Sequence, residues 1–405
     1  MERVTLEDVK EAREIIKEVA LKTDLLENVR LSEKTGARVF YKCENLQRTG
    51  SFKLRGAYNK IAHLTEEEKE CGVIASSAGN HAQGVAMGAK NAGIKATIWM
   101  PANAPVSKVA ATKSYGAEVV LEGQVYDDAY EKAVKLQKET GATFLHPFDD
   151  KYVIAGQGTI GLEIFEQSEG KVDTVLVPIG GGGIIAGIST ALKALNPNIK
   201  VVGVQTCNVP SMKVSMANGK VTTAFNDTTI ADGIAVRTPG SLTFDIIKKN
   251  VDSVVTVTEE EVAEAILYMM ENQKIVSEGA GAVSTAALLS GKYQPAEGEN
   301  VVCVVSGGNI DINTLYRIMS VALKQQGRRI SIVAELPDVP GSLANMMSIV
   351  AKYGGNVLTI NQDKLASGKY IKQQTVEATI ETQGFEMVNK MKSAFIEAGI
   401  RVEFL

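Results

Sequence analysis

Residues 178–186 read Pro-Ile-Gly-Gly-Gly-Gly-Ile-Ile-Ala, four consecutive glycines between an apolar β-branched run and a helical stretch. Glycine loses more conformational freedom on folding than any other residue. Four in a row make sense where backbone must wrap closely around an anion at a helix N-terminus. The stretch fits GxGxxA from Gly181 to Ala186, the dinucleotide pattern. That pattern needs an acid roughly 20 residues on. The next strand ends at Gln205-Thr206 with no acid, and no Gly-Lys-Ser/Thr follows the glycines. A mononucleotide-like or cofactor phosphate is therefore preferred over a nicotinamide dinucleotide or a P-loop nucleotide.

The glycine turn sits in a repeating rhythm of strand, turn and helix. Strands are expected at 72–76, 95–100, 117–121, 174–178, 200–205 and 301–305. Helices are expected at 81–91, 106–115, 126–140, 184–195 and 311–324. The strands are continuous Val/Ile-rich runs, the mark of parallel strands buried on both faces. The class is α/β, doubly wound. Around Gln325-Gln-Gly-Arg-Arg329 a polar hinge introduces a new pattern. Strand 330–336, helix 342–353, strand 356–363, strand 370–381, helix 385–398 and strand 400–404 make the βαββαβ order of a ferredoxin-like unit.

Composition narrows the chemistry. Over 405 residues the net charge is −4, which argues against a nucleic-acid or membrane-surface partner. Only three histidines are present, which weakens zinc-site and histidine-triad readings. Cys43, Cys71, Cys207 and Cys303 are scattered without a CxxC pair, so neither a metal site nor a disulfide framework is expected. The N-terminus is charged, and no run approaches the roughly 18 apolar residues that span a bilayer. The cytoplasm is the expected location.

Four further motifs carry chemistry. In Ser51-Phe-Lys-Leu-Arg-Gly56, Lys53 follows Phe52 and precedes a helix expected near Arg55. A partly desolvated lysine loses its proton and becomes an imine-forming nucleophile. Ser77-Ala-Gly-Asn-His81 opens a helix after a buried strand. It is either an anion site made of backbone N–H groups or a βα turn capped by Asn80. Ser306-Gly-Gly-Asn309 repeats the arrangement at another strand's carboxyl end, where open α/β sheets bind ligands. Asp338-Val-Pro-Gly-Ser-Leu343 is a Pro-Gly turn that either presents backbone donors to a carboxylate or is simply capped by Ser342.

Together these motifs resemble the fold-type II pyridoxal-phosphate enzymes, in particular the threonine ammonia-lyases (threonine dehydratases), over residues 1–325. The resemblance implies a two-lobed, tryptophan synthase β-like fold, with a smaller lobe of roughly residues 47–150 inserted in the larger one. Residues 329–405 resemble an ACT domain, a regulatory amino-acid-binding module. By this resemblance Lys53 carries pyridoxal 5'-phosphate covalently and serves as the base, and Phe52 packs against the ring. Gly180, Gly181, Gly182, Gly183 and Ile184 hold the phosphate, Asn80 bonds the ring hydroxyl, and Ser306 faces the ring nitrogen. Ser77, Ala78, Gly79, Asn80 and His81 grip the substrate carboxylate. Pro340, Gly341, Ser342, Leu343 and Asn356, with Gly354-Gly355 nearby, would bind an effector, isoleucine or valine.

The implied reaction is β-elimination from L-threonine to 2-oxobutyrate and ammonia, and from L-serine to pyruvate. It belongs to isoleucine biosynthesis or threonine catabolism, in a homodimer or homotetramer. A serine racemase is the nearest alternative. Racemases of the family usually carry a serine where this chain has Ala78, which cannot donate a proton. A non-catalytic amino-acid sensor would not need Lys53. Glu278 in Ser277-Glu-Gly-Ala-Gly281 and Asp232 in Ala231-Asp-Gly233 are read either as site acids or as caps and surface charges. Thr228 stands where metal-binding relatives carry a glutamate, so no metal is expected.

Overall fold

The computed structural model describes residues 3–124, 126–224, 228–363 and 372–405. The chain divides into two compact units, residues 1–311 and 312–405. The helix Ile312–Gln325, which precedes the expected hinge, groups with the second unit.

The first unit holds two sheets. The larger has six strands in the order Leu25–Glu27, Arg38–Cys43, Asn300–Val305, Thr174–Pro178, Lys200–Thr206 and Ser253–Val257. Its first pair is antiparallel and every other pair is parallel. The smaller has four parallel strands in the order Glu118–Leu121, Ala96–Met100, Val73–Ser76 and Thr143–Phe144. In sequence this sheet lies between Arg38–Cys43 and Thr174–Pro178, so one sheet is inserted in the other. The strands Val73–Ser76, Ala96–Met100 and Thr174–Pro178 are buried at every residue. Continuous apolar runs are what a strand covered on both faces requires.

Two helices hold the larger core together. Lys151–Gln167 and Gly183–Leu195 cross so closely that a side chain on Gly187 would collide with the backbone of Ile154 and Gly158. Residues 183–192 are buried all round. The tetraglycine turn is thus the entry to a central helix.

The second unit is the βαββαβ arrangement expected from sequence. Its antiparallel sheet runs Asn356–Asp363, Gln373–Glu381, Arg329–Pro337 and Arg401–Phe404. Residues 370 and 371 of the expected third strand lie outside the described residues. Val376, Ala378 and Ile380 alternate inward and meet Met346, Val350 and Met391 from helices Ser342–Lys352 and Phe385–Glu397. Ser342 is not the cap of its helix. The capping position is Gly341, at φ +91° and with no side-chain hydrogen bond.

All four cysteines are free. Burial pushes the Cys43 thiol up to about 12, so it carries no thiolate near neutral pH. Among the described residues no helix is long and apolar enough to cross a membrane. Among the same residues no group of three or more His, Cys, Asp or Glu is placed to hold a metal ion.

Candidate active site

A cavity of about 1220 Å³ in the first unit gathers the motifs. Phe52 and Lys53, the 76–81 turn, the Gly180–Ile184 turn, Glu278, Ser306 and Asn309 all line it. Three of these segments sit at the carboxyl ends of strands Val73–Ser76, Thr174–Pro178 and Asn300–Val305. The carboxyl edge of a parallel sheet is where such folds place ligands.

Lys53 is the first residue of helix Lys53–Ala62, two positions earlier than expected. The half-buried side chain lies over the Phe52 ring, Nζ 5.2 Å from the centroid, and donates to the Pro147 carbonyl at 2.9 Å. Burial lowers its pKa from 10.5 to about 8, and the nearby Glu278 carboxylate opposes that shift. The chain therefore holds a lysine whose neutral, nucleophilic form is accessible near physiological pH.

The tetraglycine is compelled by its neighbours. A side chain on Gly181 would collide with the Phe148 ring, and one on Gly183 would meet Phe148 Cα at 3.0 Å. Gly182 has φ +101° and faces Thr243 and Ile247. Thr243 Oγ1 donates to the Gly181 carbonyl at 2.7 Å and fixes the turn. Gly182 caps helix Gly183–Leu195 without any side-chain bond. The first N–H groups of a helix have no intrahelical partner, so here they open uncapped on the cavity. That cradle fits a phosphate.

The 77–81 turn is built alike. Gly79, not Asn80, is the capping residue of helix Asn80–Ala92, again without a side-chain bond. The Asn80 side chain instead donates from Nδ2 to Glu278 Oε1 at 2.7 Å. Ser77 Oγ accepts the Gly79 N–H at 3.2 Å. His81 Nε2 donates to the Leu145 carbonyl at 2.8 Å, and burial drives its pKa down to about 3. His81 is neutral, so what it offers an anion is its backbone. Ser306 is 3% exposed at the end of its strand, and its carbonyl accepts the Phe52 N–H at 3.1 Å.

Glu278 is no surface charge. It is 6% exposed, and burial followed by repulsion from Asp232 raises its pKa to about 7. Asp232 is exposed and pairs with Lys108 at 3.1 Å on the cavity rim. Asn309, Phe148 and Thr243 have no role in the expectations from sequence. Asn309 at least lay within a motif. Phe148 and Thr243 act through packing across long sequence separations, which leaves no local signal.

A desolvated lysine over an aromatic ring, facing a glycine-built phosphate cradle, is the signature of a pyridoxal-phosphate site. The chain belongs to the family described as pyridoxal-phosphate dependent enzymes, whose model matches residues 16–307. It is 49% identical over 402 residues to the L-threonine ammonia-lyase of Thermotoga maritima, covering 99% of this chain and 100% of that one. It is 51% identical over 319 residues to the catabolic L-threonine dehydratase TdcB of Staphylococcus aureus, covering 78% of this chain and 92% of that one. Among solved structures, threonine deaminase isoform 2 of Solanum lycopersicum matches at TM-score 0.74 and 37% identity, over 78% of this chain and 92% of that one. Maize serine racemase matches at TM-score 0.75 and 36% identity, over 80% and 99%. The protein is thus a fold-type II enzyme whose cofactor is pyridoxal phosphate.

One consequence concerns loading. On the expectation that Lys53 captures the cofactor aldehyde, which only a neutral amine attacks, loading of the apoenzyme should accelerate as pH rises through about 8. Glu278→Gln removes the charge that favours the protonated amine and should move that profile to lower pH. Stopped-flow absorbance at a series of pH values reads both. A profile that stays put in the variant would show that Glu278 does not act on Lys53.

Proposed function

We propose that the enzyme is a threonine ammonia-lyase, converting L-threonine to 2-oxobutyrate and ammonia, and L-serine to pyruvate, under control of an amino acid bound at its C-terminal unit. The observation that carries the reaction is Lys53, an amine whose pKa burial brings down to about 8, in a cavity that also holds two uncapped helix N-termini. Two helix ends suit two anions, the cofactor phosphate and the substrate carboxylate. Gly180–Ile184 hold the first through backbone N–H groups, and Ser77–His81 hold the second. When bound, pyridoxal phosphate supplies an electron sink for charge developing at the substrate Cα.

The remaining steps belong to the chain. The neutral Lys53 amine would take the Cα proton. Ser306, which lines the cavity, would offer the ring nitrogen a hydroxyl and not a carboxylate. A hydroxyl would not enforce a protonated ring, which favours elimination, in which the Cα proton and the β-hydroxyl are lost together as one water, over transamination. The released aminocrotonate takes up water and yields 2-oxobutyrate and ammonia. Ala78 lines the cavity, and, standing where the resemblance puts a serine in racemases, it cannot donate a proton. Incubation with L-threonine should release ammonia and 2-oxobutyrate in equal amounts. D-serine formation from L-serine, without comparable ammonia, would overturn this reading in favour of a racemase.

For regulation, we read residues 329–405 as an ACT domain that binds isoleucine or valine through Pro340, Gly341, Ser342, Leu343 and Asn356. Support comes from the uncapped start of helix Ser342–Lys352 and the open space around Gly341. Coupling requires that the effector bind two states with different affinity. Removing residues 329–405 should leave threonine turnover but abolish the response to both effectors. A truncated enzyme that still responds would place the effector site elsewhere. We place the enzyme in the cytoplasm as a homodimer or homotetramer, which analytical ultracentrifugation distinguishes.

A further inference from the structure

Asn80 is held from both sides. Asn309 Nδ2 donates to the Thr49 carbonyl at 2.7 Å and to Asn80 Oδ1 at 2.8 Å. On the other side Asn80 Nδ2 donates to Glu278 Oε1 at 2.7 Å. The order of atoms in this relay is forced. A backbone carbonyl only accepts, so the Asn309 atom beside Thr49 is its nitrogen. The second hydrogen of that nitrogen then needs an acceptor, which makes the neighbouring Asn80 atom its oxygen. Asn80 Nδ2 must therefore face Glu278, and its remaining N–H is the one left for the cavity.

The surrounding backbone is shaped to this relay. Gly50 has φ +69°, and a side chain there would collide with Asn309 Oδ1. A side chain on Gly307 would press on Glu278 Oε1 and meet Asn80 Nδ2 at 3.1 Å. The Gly308 N–H bonds the Gly50 carbonyl at 2.9 Å, and the Glu278 N–H bonds the Gly307 carbonyl at 3.1 Å. Three distant segments are tied together at the point where the amide is oriented.

We infer that Asn309 and Glu278 are positioning residues, which fix the Asn80 amide so that it presents an N–H donor to the phenolic oxygen of the cofactor. This rests on the reading that Asn80 meets that oxygen. An unrestrained asparagine can turn its amide and offer an acceptor instead, which an anionic phenolic oxygen repels. The relay removes that choice before the cofactor arrives.

The test is a double-mutant cycle on the full chain. Asn80→Ala, Asn309→Ala and the double variant are titrated as apoenzymes with pyridoxal phosphate, and the absorbance maximum of the bound cofactor is recorded. Each single variant should bind about tenfold more weakly and shift the maximum, as removal of orienting partners does elsewhere. The double variant should match Asn80→Ala alone, because Asn309 acts only through Asn80. An Asn309→Ala effect that persists undiminished without Asn80 overturns the positioning role, as does an Asn309→Ala variant with parental affinity and spectrum. An Asn80→Ala variant with parental affinity and spectrum overturns the underlying reading and the proposal with it. Should Asn309→Ala not fold, Asn309→Leu, similar in size and without a donor for Asn80, gives the same cycle.

Discussion

Lys53→Ala should lower ammonia release from L-threonine by at least about 10³-fold while the protein remains folded. In the proposed reaction the lysine has two duties, covalent capture of the cofactor and removal of the Cα proton, and alanine would perform neither. The structural cost is small. The folded pKa, about 8, lies below the ordinary 10.5 because burial disfavours the charged form. Below pH 8 the ammonium is charged in both folded and unfolded chains, so the folded chain carries the desolvation penalty there. The penalty fades as pH rises toward the unfolded value. Replacing Lys53 removes that penalty and loses one hydrogen bond to Pro147. The thermal midpoint of the apoenzyme near neutral pH should therefore hold or rise. Circular dichroism and melting curves check the fold, and added small primary amines should restore part of the activity. Turnover within about tenfold of the parent would remove Lys53 from the mechanism.

What could be read from the sequence follows from where the information is local. The strands Ala96–Met100, Thr174–Pro178 and Asn300–Val305 announce themselves because both faces are apolar. The edge strand Leu25–Glu27 does not, being three residues long with no residue buried. The strand Arg38–Cys43 is hidden by Lys42, a residue that normally argues for solvent. It is buried only because Glu163 and Gln167, far along the chain, arrive to meet it. The site divides the same way. Lys53, the tetraglycine and Ser306 stand in short motifs with their own physical meaning. Glu278 does stand at the N-cap position of helix Gly279–Leu289, but its side chain makes no capping bond there, and only the fold brings Asn80 against its carboxylate. Phe148 and Thr243 shape the tetraglycine turn by filling the space behind it, and packing of that kind has no spacing rule.

A second large effect is expected at Arg55, two positions beyond Lys53. Arg55 is 1% exposed and holds Glu44 in a two-point pair, Nε to Oε2 and Nη2 to Oε1, both at 2.8 Å. It holds Glu163 through Nη1 at 2.6 Å and Nη2 at 2.9 Å, and also bonds Thr159 and the Leu21 carbonyl. Lys42 completes the cluster with Glu163 at 2.6 Å. Two cations and two anions balance, and every charge is buried. Burial alone would raise the Glu44 carboxyl, but Arg55, then Lys42 and Thr23, more than reverse this and hold it below the usual carboxylate range. Arg55→Met leaves two buried carboxylates to one ammonium. Breaking a buried pair on one side costs about 3–5 kcal/mol, which should appear as a lower urea midpoint at neutral pH. Because Arg55 anchors the first turn of the helix that begins at Lys53, cofactor affinity should fall as well. The pH dependence distinguishes charge from packing. Glu44 with a depressed folded pKa contributes stability above its unfolded pKa, and that contribution is lost as pH falls through the folded value. In the variant burial is no longer opposed by Arg55, so Glu44 should take up a proton at higher pH and relieve its own penalty. The gap between parent and variant should therefore narrow as the solution is acidified toward about pH 5. A gap of constant size would mean that the lost packing of the arginine, and not its charge, holds the two segments together.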